Sequence, residues 1–134
     1  MITEGEFVVS DFTPVTLDVE SPPTAMGVGV ATMKKRYTGD VEGRSTTIFT
    51  SAFDPARGEG TYVALESFVG SLDGREGSFN FAHAASTAGA GRFGEWFTIV
   101  AGSGTGALAG ILGGGELVID ADGTHRMRFE YTLD

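Results

Sequence analysis

The chain has no cysteine, so a disulfide framework and a thiolate nucleophile are both excluded. It has only two histidines, His83 and His125, with Glu66 and Glu130 as the acidic side chains that could join them. No tight ligand spacing links these groups, and neither a metal site nor a cofactor is expected. Prolines number four, and basic residues are outnumbered by acidic ones, nine against 18. The resulting net charge of -9 disfavours nucleic acid and anionic membranes as partners. No apolar run approaches the 18 or so residues that a membrane-spanning helix needs. Met1-Ile-Thr-Glu-Gly-Glu6 lacks the basic-then-apolar order of a signal peptide, so a cytoplasmic location is expected.

What the chain does have is glycine, 21 residues in 134, without a collagen period. The glycines punctuate β-branched and aromatic runs, which points to an all-β domain with many turns spanning residues 1–134. Two stretches share the pattern aromatic-x-Gly-x-x-x-Gly-Arg: Tyr37 to Arg44 and Phe68 to Arg75. A weaker third copy, Leu108 to Leu117, lacks the aromatic and the arginine. Each is expected to be a strand end, a glycine-shaped turn and the next strand start.

The strands follow from alternation. Glu6–Phe12, Met26–Tyr37, Ser45–Phe53, Thr61–Gly70, Ser78–His83, Glu95–Ala101, Glu116–Asp120 and His125–Leu133 are expected to be extended. Ala84–Gly94, small and polar, reads as a long hairpin loop. Glu20-Ser-Pro-Pro-Thr24 reads as a loop or lid, because the prolines remove two backbone donors. Gly102-Ser-Gly-Thr-Gly106 resembles a phosphate loop only superficially; without a following lysine or helix it reads as a tight bend, with Thr105 satisfying a buried group. Ala107–Leu112 is open between a short strand and a helical turn. About eight hairpin-linked strands with no long helix fit a closed antiparallel eight-stranded barrel, which has no edges and encloses an interior.

Strand Thr61–Gly70 carries the most information. Tyr62, Ala64, Glu66 and Phe68 share one face, and Thr61, Val63, Leu65, Ser67 and Val69 the other. Both are largely apolar, so something is expected to cover the second face: another element, a subunit or a ligand. Glu66 among apolar neighbours is a buried carboxylate whose pKa burial tends to raise. His83 continues the face of Phe79 and Phe81. It stands about as far beyond the second glycine turn as Glu66 stands before it, so the two can meet if the register allows. In Lys34-Lys35-Arg36, alternation puts Lys35 in phase with Met33 and Tyr37. A solvated strand face is the plain reading of this cluster; the alternative is that one cation balances an internal carboxylate or binds an anion.

Tyr37-Thr-Gly-Asp-Val-Glu-Gly-Arg44, Tyr62-Val-Ala-Leu-Glu-Ser-Phe-Val-Gly70, Gly77-Ser-Phe79, His83, and Gly102-Ser-Gly-Thr-Gly106 with Leu108-Ala-Gly110 resemble a bacterial family of small proteins without a settled function. The resemblance runs from about Glu4 to Leu133. That family's fold is similar to the allene oxide cyclase barrel, which plant dirigent proteins share. The resemblance implies an eight-stranded barrel that assembles as a homo-oligomer. In the wider superfamily, a cavity at one barrel end shapes cyclisation or coupling of apolar substrates. One member of the closer family resembles an aspartic-type peptidase.

Three functions are therefore carried forward. The first is a cavity barrel for a small apolar molecule, acting as a cyclase or isomerase. Among the catalytic candidates Glu66, His83 and Tyr62, Glu66 would be a raised-pKa acid or an anion-stabilising partner, His83 would relay a proton, and Tyr62 or Tyr37 would hydrogen-bond a substrate oxygen, with Tyr37, Phe68, Phe81 and Trp96 as ligand contacts. The second is a non-enzymatic structural or interaction oligomer, in which Glu66 and His83 merely pair. The third is an aspartic-type peptidase or other hydrolase, which needs two carboxylates close enough to share a proton, although the signature Asp-Thr-Gly is absent.

Overall fold

The computed structural model describes residues 1–133. Strands β1 (Ile2–Val15), β2 (Val28–Gly39), β3 (Val41–Asp54), β4 (Glu59–Leu72), β5 (Arg75–Ala88), β6 (Gly91–Ile99), β8 (Ile111–Ile119) and β9 (His125–Leu133) form one antiparallel sheet in the order β6-β5-β4-β3-β2-β1-β9-β8. A two-residue β7 (Thr105–Gly106) adds to β5. The sheet coils into a nearly closed eight-stranded barrel. Strands β6 and β8 come together at the last seam, yet no backbone ladder joins them among the described residues. Among those residues no helix is long and apolar enough to cross a membrane.

Alternation predicted the interior well. Phe7, Tyr37, Phe68, Phe79, Phe81 and Phe129 are buried and meet largely by tilted and edge-on contacts, with Tyr131 buried in the same core. Each such ring contributes roughly 1.5–3 kcal/mol of burial, and together they fill the barrel. The outward side chains of β4 are different. Val63, Leu65 and Val69 remain exposed, as does Ile48 beside Leu65 on β3. Among the described residues no element covers them, contrary to one of the ways the apolar second face could have been explained.

The strands run longer than their apolar patterns indicate, because polar and glycine residues continue the ladders. Ala84–Gly94 is the clearest correction. It is strand almost throughout, with only Gly89 and Ala90 between Ala88 and Gly91. Small side chains are tolerated there because Ala85 packs inward, and Gly89 supplies the positive φ that a two-residue turn needs. Ala107–Gly110 is a run of turns rather than a strand. Gly102–Gly106 is the expected tight bend: Thr105 Oγ1 accepts from the Ser78 amide at 3.1 Å, and Ser103 Oγ from the Asn80 amide at 2.9 Å.

The repeated glycine motif is used in two registers. In the second copy, Asp73 and Gly74 both have positive φ and form the two-residue turn between Leu72 and Arg75. In the first copy the chain turns earlier, at Gly39 and Asp40, and Gly43 already lies in β3 opposite Gly70. The third copy is no hairpin: Gly113, Gly114 and Gly115 lie inside β8. The two hairpin tips are tied together, since the Asp73 amide donates to the Asp40 carbonyl at 2.9 Å. The Asp73 carboxylate also accepts from Thr3 Oγ1 and Tyr131 Oη, fixing this tip to β1 and β9.

Candidate functional site

Glu66 lies on the inner face of β4, opposite Phe81 of β5, while His83 is opposite Ala64. The regular β4–β5 register thus sets Glu66 and His83 on one face, two residues apart diagonally, within reach of long side chains. They meet: His83 Nε2 lies 2.6 Å from Glu66 Oε2. The same oxygen accepts from Lys35 Nζ at 2.6 Å. The other, Oε1, accepts from Ser45 Oγ at 2.7 Å and Tyr37 Oη at 3.1 Å. Four donors converge on a side chain whose exposure is 0%.

Burial pushes the Glu66 carboxyl upward, but the His83 hydrogen bond and the Lys35 ammonium outweigh it and hold the group down, at about 2. The upward shift expected from burial alone is therefore reversed. The carboxylate is a fixed anion that accepts a hydrogen bond from His83 Nε2. Burial, followed by the neighbouring Glu66 charge, pushes the Tyr37 hydroxyl well above its ordinary value, so Tyr37 is a donor to this anion. Lys35 is buried, whereas Lys34 and Arg36 are exposed. The alternative reading of the basic cluster holds for Lys35, and the solvated-face reading for its neighbours. The inward phase of Lys35 with Tyr37 was the signal. Ser45 had none beyond its position on β3.

The chain of contacts continues outward. His83 Nδ1 lies 2.8 Å from Tyr62 Oη, and Arg92 donates to that hydroxyl at 3.2 Å. With the ring proton on Nε2, every bond is satisfied in one direction: Arg92 to Tyr62, Tyr62 to His83, His83 to Glu66. Phe81 and Phe97 stack on the imidazole at 5.9 and 5.6 Å, and the Tyr62 ring meets it edge-on at 5.4 Å. Burial raises the Tyr62 hydroxyl, with Arg92 opposing the shift, so the group rests as a phenol.

Tyr62, His83 and Arg92 open onto a recess of about 160 Å³ at the β6–β8 seam. Glu95, Trp96, Phe97 and the Gly115–Leu117 stretch of β8 complete its walls. A Cβ on Gly115 would meet the Arg128 carbonyl of β9 at 2.2 Å and the Phe97 ring at 3.0 Å, and one on Gly114 would stand 3.1 Å from the Phe97 carbonyl. The glycines thus let β8 approach β6. Of the residues expected to contact a ligand, Trp96 lines this recess. Tyr37, Phe68 and Phe81 instead belong to the packed core. The recess touches His83 and Tyr62 but not Glu66, and it holds polar as well as apolar groups.

Thr47 lies across from Glu66 on β3, and its buried hydroxyl has no hydrogen-bond partner among the described residues. Thr47→Val keeps the shape and removes the stranded polar group. It is expected to stabilise the protein by about 1 kcal/mol in urea unfolding. A loss of that size would mean that the hydroxyl has a partner.

A family model described as "Protein of unknown function (DUF3224)" matches residues 3–131. The chain belongs to this family. A crystal structure of a DUF3224 protein of unknown function from Shewanella oneidensis MR-1 is similar over 100% of this chain and 97% of its own, with 28% identity and a TM-score of 0.87. Among curated proteins, none matches. The DUF3224 chain is thus a bacterial-type β-barrel protein, and the shared barrel is the part of the resemblance that the comparisons support.

Proposed function

We propose that this DUF3224 protein binds a small carbonyl or carboxylate compound in the β6–β8 recess and moves a proton on it. The observation that carries this reading is the unbroken chain from the recess to the buried anion, Arg92–Tyr62–His83–Glu66. Tyr62 takes a proton from the bound molecule while its own hydroxyl proton passes to His83 Nδ1. Glu66, already ionised, stabilises the imidazolium that forms. Arg92 balances the charge that develops on the substrate oxygen. Return of the proton at a second atom gives an isomerisation or a ring closure, the chemistry that likeness to the allene oxide cyclase barrel suggests. The aromatic filling of the barrel favours the seam over an axial cavity. The recess volume, near the 150 Å³ that holds a benzene, favours a small ligand over a long apolar one. Glu66 has no carboxylate among its partners, which weighs against a proton-sharing acidic pair.

A fragment screen by NMR with small ketones and carboxylates tests the proposal. Hits are expected to shift the Trp96 and His83 side-chain signals and to be lost in Arg92→Gln. Solvent deuterium should enter the acidic C–H of a bound ketone. Tyr62→Phe should slow that exchange about 100-fold or more with affinity kept. Exchange unchanged in Tyr62→Phe, or no hit at the recess, would count against the reading.

The non-enzymatic reading rests on a different observation. Ile48, Val63, Leu65 and Val69 form an exposed apolar patch on β3 and β4, suited to a homo-oligomer contact.

A further inference from the structure

The outer surface of β2 and β3 gathers three cations in a protein with a twofold excess of acid. Lys34, Arg36 and Arg44 are exposed. The ion pairs among the described residues use Lys35, Arg57, His83, Arg92, Arg126 and Arg128 instead. Arg36 and Arg44 face each other directly across the ladder, and Lys34 stands one step along on the same face, opposite Thr46. Like charges in directly opposed positions oppose pairing of the strands. The chain has 18 acidic side chains with which it could have relieved that repulsion, and it has not done so here.

The three cations line a concavity of about 520 Å³, and Ser10, Thr46 and Ser67 add hydroxyls to the same surface. Ser10 is opposite Lys34, and Ser67 is opposite Thr46, so the hydroxyls continue the row across β1, β2, β3 and β4. Asp11 stands at the rim, at a bulge in β1, and makes no ion pair with the three cations. Two guanidinium forks, an ammonium and a row of hydroxyls line one concavity, and among the described residues none of the three cations is in an ion pair, while Ser67 Oγ accepts from Asn80 Nδ2. That is the donor set of an oxyanion site.

We propose that this face binds a small multivalent oxyanion, either a phosphate ester or a di- or tricarboxylate. The site is on the outside of the barrel, apart from the recess at the seam, and stands whether or not the recess performs chemistry. A multivalent ion fits because one charge cannot engage three cations held on neighbouring ladder positions. The overall negative charge of the protein makes a long polyanion such as nucleic acid a poor match.

Calorimetric titration at low ionic strength with pyrophosphate and with citrate tests the proposal and separates the two sources. Saturable binding of at least one is expected, with amide shifts confined to β2, β3 and the facing parts of β1 and β4. Arg36→Gln and Arg44→Gln should each weaken binding about tenfold or more, as expected for loss of a charge-assisted bond. Arg128→Gln, whose guanidinium pairs with Glu116 elsewhere, should leave binding unchanged. Arg44→Thr should weaken binding as Arg44→Gln does while leaving the melting temperature of the free protein equal or higher, because it relieves the opposed charges. No saturable binding of either anion, or equal weakening by Arg128→Gln, would overturn the proposal.

Discussion

Glu66→Ala is expected to cost the fold about 3–5 kcal/mol, because it leaves the Lys35 ammonium buried without its counter-ion. The cost is that of a stranded charge and does not measure the worth of the pair. Lys35→Met combined with Glu66→Leu should therefore recover much of the loss, and a double-mutant cycle in urea should show strong coupling between the two positions. Additive losses would mean that Lys35 escapes to water when Glu66 is removed. The pair also sets an acid limit. The carboxyl of Glu66 sits at about 2 in the folded protein, below its ordinary 4.5, so the unfolded chain takes up the proton first. Its contribution is complete above about pH 4.5 and is lost as pH falls toward 2. The total is about 3 kcal/mol at most. Stability of the Lys35→Met/Glu66→Leu protein should fall less steeply across that window.

Gly70→Ala should be comparably damaging for a steric reason. Gly70 has a φ of +156°, and a Cβ there would lie 2.0 Å from the Glu42 carbonyl oxygen and 2.7 Å from the Cα of Gly43. Both obstacles are backbone, so the strands themselves would have to separate. Overpacking and an unfavourable φ together suggest a loss of about 4 kcal/mol. Gly74, in the same motif, has a φ of +81° with nothing near its missing Cβ. Gly74→Ala should lose only about 1–2 kcal/mol, from the left-handed backbone alone. Equal losses for the two variants in chemical unfolding would contradict the division of labour between them.

These two glycines show what the sequence disclosed and what it withheld. The motif announced turns, and alternation announced strands, so the barrel and its inward residues were legible. Which glycine turned and which allowed close approach was not, because both needs select the same residue. The meeting of Glu66 and His83 depended on a β4–β5 ladder without a bulge, and local patterns cannot count residues across a turn with that accuracy. The direction of the Glu66 shift depended on His83 and Lys35, which reach it from β5 and β2. Burial was foreseeable, and each donor was visible as a possibility, but their meeting on one carboxylate was not. Arg92 was hidden for another reason: small residues disguised the end of β5 and the start of β6 as a loop, and with them the seam.

That seam changes what kind of object the barrel is. A ring closed by ladder bonds on every side resists widening at each joint equally. This one is a split ring, whose gap between β6 and β8 is held by side chains such as Phe97 against the glycines of β8. Among the described residues, parting the ring along that one line would break no backbone ladder, and Tyr62 and His83 line the recess there.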